Sequence, residues 1–458
     1  MITAEEIALT RECIAFALSE GASAARITLT KSTEDLIATL DGEVDRVTRC
    51  ADRSMSIALF ADGRFGSFSI NKLERSSLQD FIRKGIQTVR MLAPDAFRKL
   101  PSPERYCRSA EGGREMEIYD EAYHDVTAGD RRQAALAAAV FDPSCTGGMP
   151  LDESLTGGVP GLRLISEEGE YSDSVYDVFL CDSQGLECRH TETSFDYGVE
   201  VTLEDGSGNK YSDYWWTASP RRRDFSPADC GPTAIRRAAA QVGAAPVRST
   251  RCNMVVAAEA ASRLVSPLLN ALNGYSIQQG NSFLVGSKGQ KLFTDGLGII
   301  DEPFRKGEAG SKLFDNEGVA TENAPVISGG TVERYFINTY MSGKLGMEPT
   351  VEDAVRPRLL PWPSPGLDRS ALMEMCGSGI LVTDFNGGNC NMATGDFSYG
   401  ISGQLFKNGK PVRPVNEMLV TGNFLQLWKN FLAAGEDYRL CSTKLIPSLA
   451  FRKVDFSG

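Results

Sequence analysis

Residues 384–415 read DFNGGNCNMATGDFSYGISGQLFKNGKPVRPV, and this stretch sets the expectation for the second half of the chain. The tetrapeptide Lys407–Lys410 stands between SGQLF and PVRPV. Its Asn-Gly pair favours the positive φ angles of a type I′ turn, so it predicts a β-hairpin. The glycine-rich part before it, Asp384–Gly403, leads directly into that hairpin. We therefore predict a β-rich C-terminal half.

The glycine-rich part could bind a ligand or could serve only to fold the chain. Five of its twenty residues are glycine. Glycine exposes backbone N–H groups and lets another chain approach closely, so such a loop can hold an extended peptide or an anion. A tight turn packed under a neighbouring segment has the same composition, and composition favours this structural role. The candidate binding residues are Asn386, Gly387, Gly388, Asn389, Cys390, Thr394 and Gly395.

The whole chain has the size and composition of a soluble multidomain protein. Its 458 residues suggest about two to four domains, which can bury a large core without disulfides or metals. The net charge of −12 repels phosphate backbones, so we expect no contact with nucleic acid. No window approaches about 18 uninterrupted apolar residues, so we expect no membrane span.

Cysteine usage and the N-terminus indicate a cytoplasmic protein. There are eleven cysteines, an odd number, and no C-x-x-C pair, which excludes thioredoxin-like and zinc-ribbon motifs. Reduced thiols in a cytosolic protein are the natural interpretation. The start, Met1–Glu6, is acidic and polar, unlike the basic head of a signal peptide.

The N-terminal half contains two similar units, each a hairpin with an Asp-Gly turn followed by a helix. In the first, Ser54–Asn71 alternates around Asp62-Gly63, and Ser77–Leu92 has helical periodicity. In the second, Ser194–Ser219 turns at another Asp-Gly pair, and Ser226–Ala244 reads as a helix. An internal duplication would explain this recurrence, but hairpin-then-helix units are also common in α+β proteins.

A composition shift after residue 245 divides the chain. Residues 93–125 and 142–172 are rich in Pro, Gly, Ser and charge, and we predict long connections there. We expect an N-terminal α+β domain over residues 1–245 and a β-rich domain over residues 246–458 with one helix, Ala257–Gly274. The predicted fold class is α+β, with an N-terminal α/β region of two hairpin-plus-helix units followed by a β-rich C-terminal domain.

Few side chains offer hydrolytic or metal chemistry. The only histidines are His124 and His190, too few for the common His-rich zinc sites. Cys188 and His190 would share one face of a strand as a Cys–His dyad or half a metal site, although a dyad usually draws on distant segments. The sequence has no G-x-S-x-G elbow, no phosphate-binding loop and no dinucleotide-binding glycine motif.

Four C-terminal motifs, taken in order, resemble those of the TldD/PmbA family, formerly called modulators of DNA gyrase. They are Asn281–Pro303, Phe314–Thr321, Gly330–Gly346 and Asn391–Gly400. The N-terminal helix, the paired hairpins and their helices also fit the layout of the family, so the resemblance covers essentially the whole chain. It implies a protein related to metallopeptidases.

The segment Ala258–Arg263 departs from the peptidase pattern. TldD-like members carry HExxxH on this helix; two histidines and a later cysteine hold zinc, and the Glu can serve as general base. Here the segment reads AEAASR, so both histidine positions are lost and only Glu259 remains of the motif. A methyl group has no lone pair and arginine is a cation, so neither binds zinc. Cys441 corresponds only loosely to the ligand cysteine, and we expect an ordinary thiol.

This departure resembles the PmbA-like members, also called TldE, which lack the ligands and pair with a TldD-like chain. The resemblance implies a non-catalytic subunit of a cytosolic metallopeptidase complex acting on unfolded peptides, with zinc on the TldD-like partner and no cofactor or metal on this chain. A homodimer in isolation is a further expectation. Two alternatives stay open: an autonomous homodimeric peptidase using Cys390, Cys188 with His190, or Glu259, and a protein-binding modulator of DNA gyrase.

Overall fold

Seven strands from the first half of the chain form one sheet in the computed structural model, which describes residues 1–458. They are β1 (Ala24–Leu40), β2 (Glu43–Ala61), β3 (Arg64–Ile70), β4 (Met149–Pro150), β5 (Arg163–Asp182), β6 (Glu187–Glu204) and β7 (Lys210–Ser219). Their order across the sheet is β3-β2-β1-β5-β6-β7, with β4 paired to β5 beside this path. The antiparallel pair of β1 and β5 forms the centre.

Four α-helices cover one face of this sheet. They are α1 (Ala4–Ser19), α2 (Arg75–Val89), α3 (Ala128–Ala138) and α4 (Cys230–Ala239). Side chains alternate along a strand, so Ile27, Leu29 and Ile37 of β1 point to the same face. Ile27 and Leu29 pack in a buried cluster with α1 and α2, and Ile37 packs in another with α3 and α4.

The sheet is symmetric in its order about the β1–β5 pair. One side carries β1-β2-β3 followed by α2, and the other carries β5-β6-β7 followed by α4. The two predicted hairpin-plus-helix units are thereby confirmed. The predicted turn residues Asp62 and Gly63 both have positive φ, 51° and 71°, as a type I′ turn requires. This order is the one that a duplicated unit would produce, and the duplication itself stays a prediction.

One of the two predicted connections is partly wrong. β5 begins at Arg163, so the last ten residues of the predicted connection 142–172 are strand. The alternation of apolar and polar residues that marks a strand is not visible here, because the charged residue Glu167 occupies a buried position, with 1% exposure. Its carboxylate accepts hydrogen bonds from the backbone N–H of Val140 at 2.9 Å and of Phe141 at 2.5 Å. The Glu167 carboxylate, a buried hydrogen-bond acceptor, therefore occupies a position at which the strand pattern predicts an aliphatic residue.

Ten strands of the second half form two further sheets. They are β8 (Thr250–Val256), β9 (Ile299–Asp301), β10 (Ala324–Ser328), β11 (Thr331–Val332), β12 (Pro357–Leu359), β13 (Gly379–Cys390), β14 (Asp396–Lys407), β15 (Lys410–Asn423), β16 (Phe431–Ala434) and β17 (Leu449–Ser457). The larger sheet has the order β15-β14-β13-β8-β17-β16, and an additional pairing of β15 with β17 closes five of its strands into a ring. The smaller sheet has the order β11-β10-β9-β12.

The second half contains five α-helices, so the prediction of a single helix there was wrong. They are α5 (Ala258–Ala271), α6 (Gly274–Gln278), α7 (Thr339–Leu345), α8 (Arg369–Cys376) and α9 (Phe424–Lys429). Only α5 was predicted; the others have eight residues or fewer, too few for a periodic pattern. Helix makes up 22% of the chain and strand 38%, which confirms the α+β class. None of the helices combines the length and apolar composition that a bilayer crossing requires.

The predicted glycine-rich loop, Asp384–Gly403, contains the end of β13, the connection 391–395 and the first part of β14. β13 continues to Cys390, and its pairing with β14 is interrupted between Asn386 and Asn389, where Gly387 and Gly388 have φ of 66° and 86°. Two residues of β13 here stand opposite the single residue Tyr399 of β14, which makes a β-bulge, and glycine provides the conformations that it needs. The residues at this bulge have the composition of a turn, but in the structure they belong to an irregular strand.

Gly403 of β14 lies where two backbones come close. A Cβ placed on this residue would stand 1.9 Å from the carbonyl oxygen of Leu381 in β13. The neighbour is main chain rather than the end of a flexible side chain, so it cannot move aside without disturbing the ladder. The pairing also shifts register just beside it, between Val382 and Asp384. The β13–β14 pair therefore requires glycine at this position.

We expect Gly403→Ala to lower the free energy of unfolding by about 1–3 kcal/mol, the usual cost of overpacking a well-packed site. The midpoint of urea unfolding, followed by circular dichroism, measures this change. Gly206→Ala is the matched control because a Cβ there meets nothing within 4 Å and needs no positive φ. Equal midpoints for the two variants would contradict the prediction.

Asp315 is a buried carboxylate in the loop Phe314–Thr321. One of its oxygens accepts hydrogen bonds from the backbone N–H of Glu317 at 2.9 Å and of Val319 at 3.0 Å, and the other accepts from Glu352 at 3.1 Å. Burial, and then the negative charge of Glu317, raise the pKa of Asp315 to about 6 despite these hydrogen bonds.

The raised pKa of Asp315 contributes stability that is lost as the pH rises from about 4 to about 6. The folded state holds a proton in this range that the unfolded chain, with a carboxyl pKa near 3.9, has released. The contribution is on the order of 2–3 kcal/mol. Over this range we expect the unfolding free energy of the unaltered protein to fall by more, or to rise by less, than that of Asp315→Asn. The same change at the exposed Asp80 should leave the slope as it is, and identical slopes for all three proteins would contradict the prediction.

Candidate functional site

The start of helix α5 lies between the two large sheets and presents Glu259. Strand β8 leads into the helix at Ala258, whose backbone N–H donates to Ser448 Oγ at 3.1 Å. Ser448 in turn donates to Asp437 at 2.7 Å. A segment near the C-terminal end of the chain thus supplies the hydrogen-bond acceptor that Ala257, the residue before the helix, lacks.

Glu259 is held by ion pairs from two other helices. Its Oε1 atom lies 2.8 Å from Arg237 on α4 and 3.6 Å from Arg369 on α8. Arg237 also donates to Asp213 of β7 at 3.0 Å. The side chains of Glu259, Arg237 and Asp213 are only 14–15% exposed, so the pairs are weakly screened by water. This network fixes the start of α5 against the first sheet.

A cavity of about 880 Å³ opens beside this network. Charges of both signs line it, including Asp213, Arg237, Glu259, Arg369, Asp437 and Arg439. Trp215 lies at the same wall, with the Arg439 guanidinium 4.0 Å from its ring and that of Arg237 at 5.2 Å. Stacking of this kind orients a guanidinium while leaving its edge able to donate hydrogen bonds.

A second cavity, of about 420 Å³, lies on the other side of Glu259. Arg263 lines it, with its guanidinium 4.8 Å from the ring of Tyr399. Asp384 lines it as well, and burial raises the pKa of this carboxyl although Arg237 and Arg263 act in the opposite direction. Burial also raises the pKa of the Tyr399 hydroxyl. Arg263, at which the resemblance would place the second histidine of HExxxH, is therefore a cation stacked on an aromatic ring.

The side chains around α5 do not fit a zinc ion. Ala258 offers a methyl group, Arg263 a guanidinium, and Glu259 already faces two guanidinium groups. No three His, Cys, Asp or Glu side chains in the chain are grouped so that they could hold a metal ion. Cys441 is half-buried, and the residues of its segment that line the larger cavity are Asp437, Arg439 and Ser448.

The predicted binding residues lie outside both cavities. Asn386, Gly387, Gly388 and Asn389 are exposed at the bulge of β13. Asn386 donates to Ser402 Oγ at 2.8 Å, and Cys390 contacts the sulfur of Met392 at 3.7 Å. Thr394 donates to Asp396 at 2.7 Å, and the carbonyl of Gly395 accepts from Phe424, so these two residues shape the β13–β14 connection. A role in binding stays a prediction for this set.

The two thiol candidates have no catalytic base beside them. Cys188 and His190 both lie on β6 and are buried, but Cys188 donates to the carbonyl of Cys107 at 3.3 Å and His190 pairs with Glu192 at 3.2 Å. The hydrogen-bonding interaction with Cys107, and then burial, raise the pKa of the Cys188 thiol, and burial raises the pKa of the Cys390 thiol. The structure therefore does not assemble the Cys–His dyad.

Several residues of the larger cavity had not been predicted. Arg237, Asp213 and Arg369 meet Glu259 only because α4, β7 and α8 converge on the start of α5. The signals available in the sequence were the Trp215-Trp216 pair in a predicted strand and the Arg236-Arg237 pair in a predicted helix. Neither identifies its partner, because the partner is brought close by the fold.

Two family models match this chain. The PmbA/TldA metallopeptidase C-terminal domain matches residues 249–458, and the central domain of the same family matches residues 133–242. The chain is 25% identical over 452 residues to the metalloprotease PmbA of Escherichia coli O157:H7, which covers 95% of this chain and 94% of that protein. It is 24% identical to the PmbA homologue of Haemophilus influenzae, over 98% and 96% of the two chains.

Solved structures extend the match to the full length. A protein from Bacteroides thetaiotaomicron, described as a proposed modulator of DNA gyrase, superposes with a TM-score of 0.92 at 36% identity over all of both chains. TldE from Thermococcus kodakarensis superposes with a TM-score of 0.81 at 16% identity, over 98% and 100% of the chains, which shows a shared fold. From the family models and the Bacteroides relative together, the chain belongs to the PmbA/TldD family.

Proposed function

We propose that this chain is a non-catalytic, PmbA/TldE-like subunit of a TldD/TldE-type metallopeptidase complex, paired with a TldD-like catalytic chain. The observation that carries this proposal is the start of α5. Ala258 and Arg263 stand where HExxxH would place its histidines, and Glu259 faces Arg237 and Arg369 rather than a metal ligand. A zinc peptidase needs about three protein ligands on one ion, and the chain groups no such set.

In this proposal the chain shapes the space through which an unfolded peptide reaches the zinc of its partner. The larger cavity supports this role because it combines guanidinium groups, carboxylates and Trp215. Such a lining can pair with backbone carbonyls and N–H groups of an extended chain without selecting one side chain. We further propose that the exposed Asn386–Asn389 bulge contributes to this path or to the contact between subunits.

We also propose a cytoplasmic location. All eleven cysteines are free thiols, and Cys13, Cys107, Cys181, Cys188 and Cys230 are buried among other side chains. Free thiols in this number are typical of a reducing compartment. The peptides processed by the complex would then be cytoplasmic as well.

The first test is zinc analysis and a peptidase assay on the purified chain. We expect well under one zinc per chain by plasma mass spectrometry and no hydrolysis of unfolded peptides, with hydrolysis appearing when a TldD-like chain is added. The control is the TldD-like chain alone. Stoichiometric zinc and turnover by this chain alone would refute the proposal and favour an autonomous peptidase.

The second test asks whether Glu259 has a catalytic or a structural role. We expect Glu259→Gln to leave peptide hydrolysis by the reconstituted complex within about twofold while lowering stability by about 1–3 kcal/mol, because it leaves Arg237 partly unpaired at a poorly screened site. Glu187→Gln is the matched control, since Glu187 forms an exposed ion pair with Arg11. A loss of hydrolysis of a hundredfold or more, with unchanged stability, would assign Glu259 to catalysis.

A second candidate function is binding to DNA gyrase. It is favoured by one observation: the 36% identical Bacteroides relative is described as a proposed modulator of that enzyme. With a net charge of −12, such a role would involve the protein rather than DNA. Affinity capture with the tagged chain separates the candidates, because a TldD-like chain as main partner supports the first and gyrase subunits support the second.

A further inference from the structure

The larger cavity contains positive charge that no carboxylate of the chain neutralises. The four carboxylates of its lining each accept an ion pair or hydrogen bond from the chain; they are Asp213, Glu259, Asp368 and Asp437. The guanidinium groups of Arg236 and Arg439 also line the cavity, and neither forms an ion pair. Arg236 donates to the hydroxyl of Thr233 at 2.9 Å. The charged groups that remain free for a ligand here are therefore cationic.

Arg439 is held in place by contacts that leave most of its donors unused. Its guanidinium carbon lies 4.0 Å from the ring centre of Trp215 and 4.5 Å from that of Trp216. Its one hydrogen bond runs from Nη2 to the backbone carbonyl of Trp216. A guanidinium group carries several N–H donors, so the others are free to bind a ligand. The two indole rings restrict the side chain, which reduces the entropy lost when a ligand binds.

A carboxylate is the ligand group that fits these free donors. Guanidinium binds a carboxylate in one plane through a pair of parallel N–H···O hydrogen bonds. Phosphate also pairs with guanidinium, but it carries more negative charge, so the four carboxylates of the lining repel it more strongly. Every peptide ends in a carboxylate whatever its sequence. A C-terminal carboxylate therefore suits a cavity whose lining selects no single side chain.

We propose that Arg439 binds the C-terminal carboxylate of an unfolded peptide in the larger cavity. Trp215 and Trp216 position the guanidinium, and the rest of the lining contacts the peptide residues that precede the carboxylate. This subunit would then bind peptides that have a free C-terminus more tightly than internal segments of the same sequence. The inference rests on the proposed function for the nature of the ligand, and it adds the part of the peptide that this chain recognises.

Isothermal titration calorimetry on the full-length chain tests this with two unfolded peptides of one sequence without acidic residues. One peptide ends in a free carboxylate and the other in an amide. We expect the amide to bind about 30-fold more weakly, as the loss of a charged hydrogen-bonded pair predicts. In Arg439→Gln the two peptides should bind equally, because the partner of the carboxylate is gone. Arg439→Lys keeps the charge without the planar fork, so part of the preference should remain.

Arg223→Gln is the matched control, because Arg223 is 74% exposed and lies outside the larger cavity, so the preference should be unchanged. Circular dichroism shows that each variant is folded.

A third peptide, amidated and with Glu as its last residue, separates the chain end from an acidic side chain, and we expect it to bind like the amide. Excess inorganic phosphate should displace the free-acid peptide no better than excess acetate does. The proposal is overturned if the free carboxylate gives no gain in affinity, if folded Arg439→Gln keeps the preference, if the Glu peptide binds like the free acid, or if phosphate displaces preferentially. Zinc content and hydrolysis by the reconstituted complex judge the proposed function separately.

Discussion

The Arg237 guanidinium holds the two halves of the structure together at the start of α5. It projects from α4 on the first sheet and reaches Asp213 of β7 and Glu259 of α5 at 3.0 and 2.8 Å. All three side chains are largely removed from water, so removing Arg237 would leave Asp213 without its cation and Glu259 with only the longer pair to Arg369. The position of α5, and the shape of the cavities on both sides of Glu259, depend on this contact.

The same contact explains how the start of α5 can be held in place without a bound metal ion. A zinc ion bound by side chains of α5 would tie that helix to its neighbours through coordination. In this chain Arg237, Arg369 and the stacked Arg263 supply the links instead, with carboxylate and aromatic partners. The helix is thus anchored by ion pairs and stacking.

Local patterns could be read from the sequence, whereas contacts created by the fold could not. The Asp62-Gly63 turn and helix α2 follow from neighbouring residues alone, and both are observed. Glu167 and Glu259 owe their roles to partners on other elements, which no local pattern reveals. The bulge at Gly387 and Gly388 was read as a loop because composition cannot separate a turn from an irregular strand. The difference between Ala258–Arg263 and the HExxxH pattern that the resemblance implies, in contrast, is visible in six consecutive residues.

The closed ring of the second half has a consequence for biosynthesis. β17 lies between β8 and β16 and also pairs with β15, so residues 449–457 supply hydrogen bonds that join strands from opposite ends of this half. Until the ribosome has released these residues, β8 and β15 have unpaired edges and the apolar side chains inside the ring are uncovered. The seven-stranded sheet needs nothing beyond residue 219 for its strands, so it can form while the rest is still being synthesised.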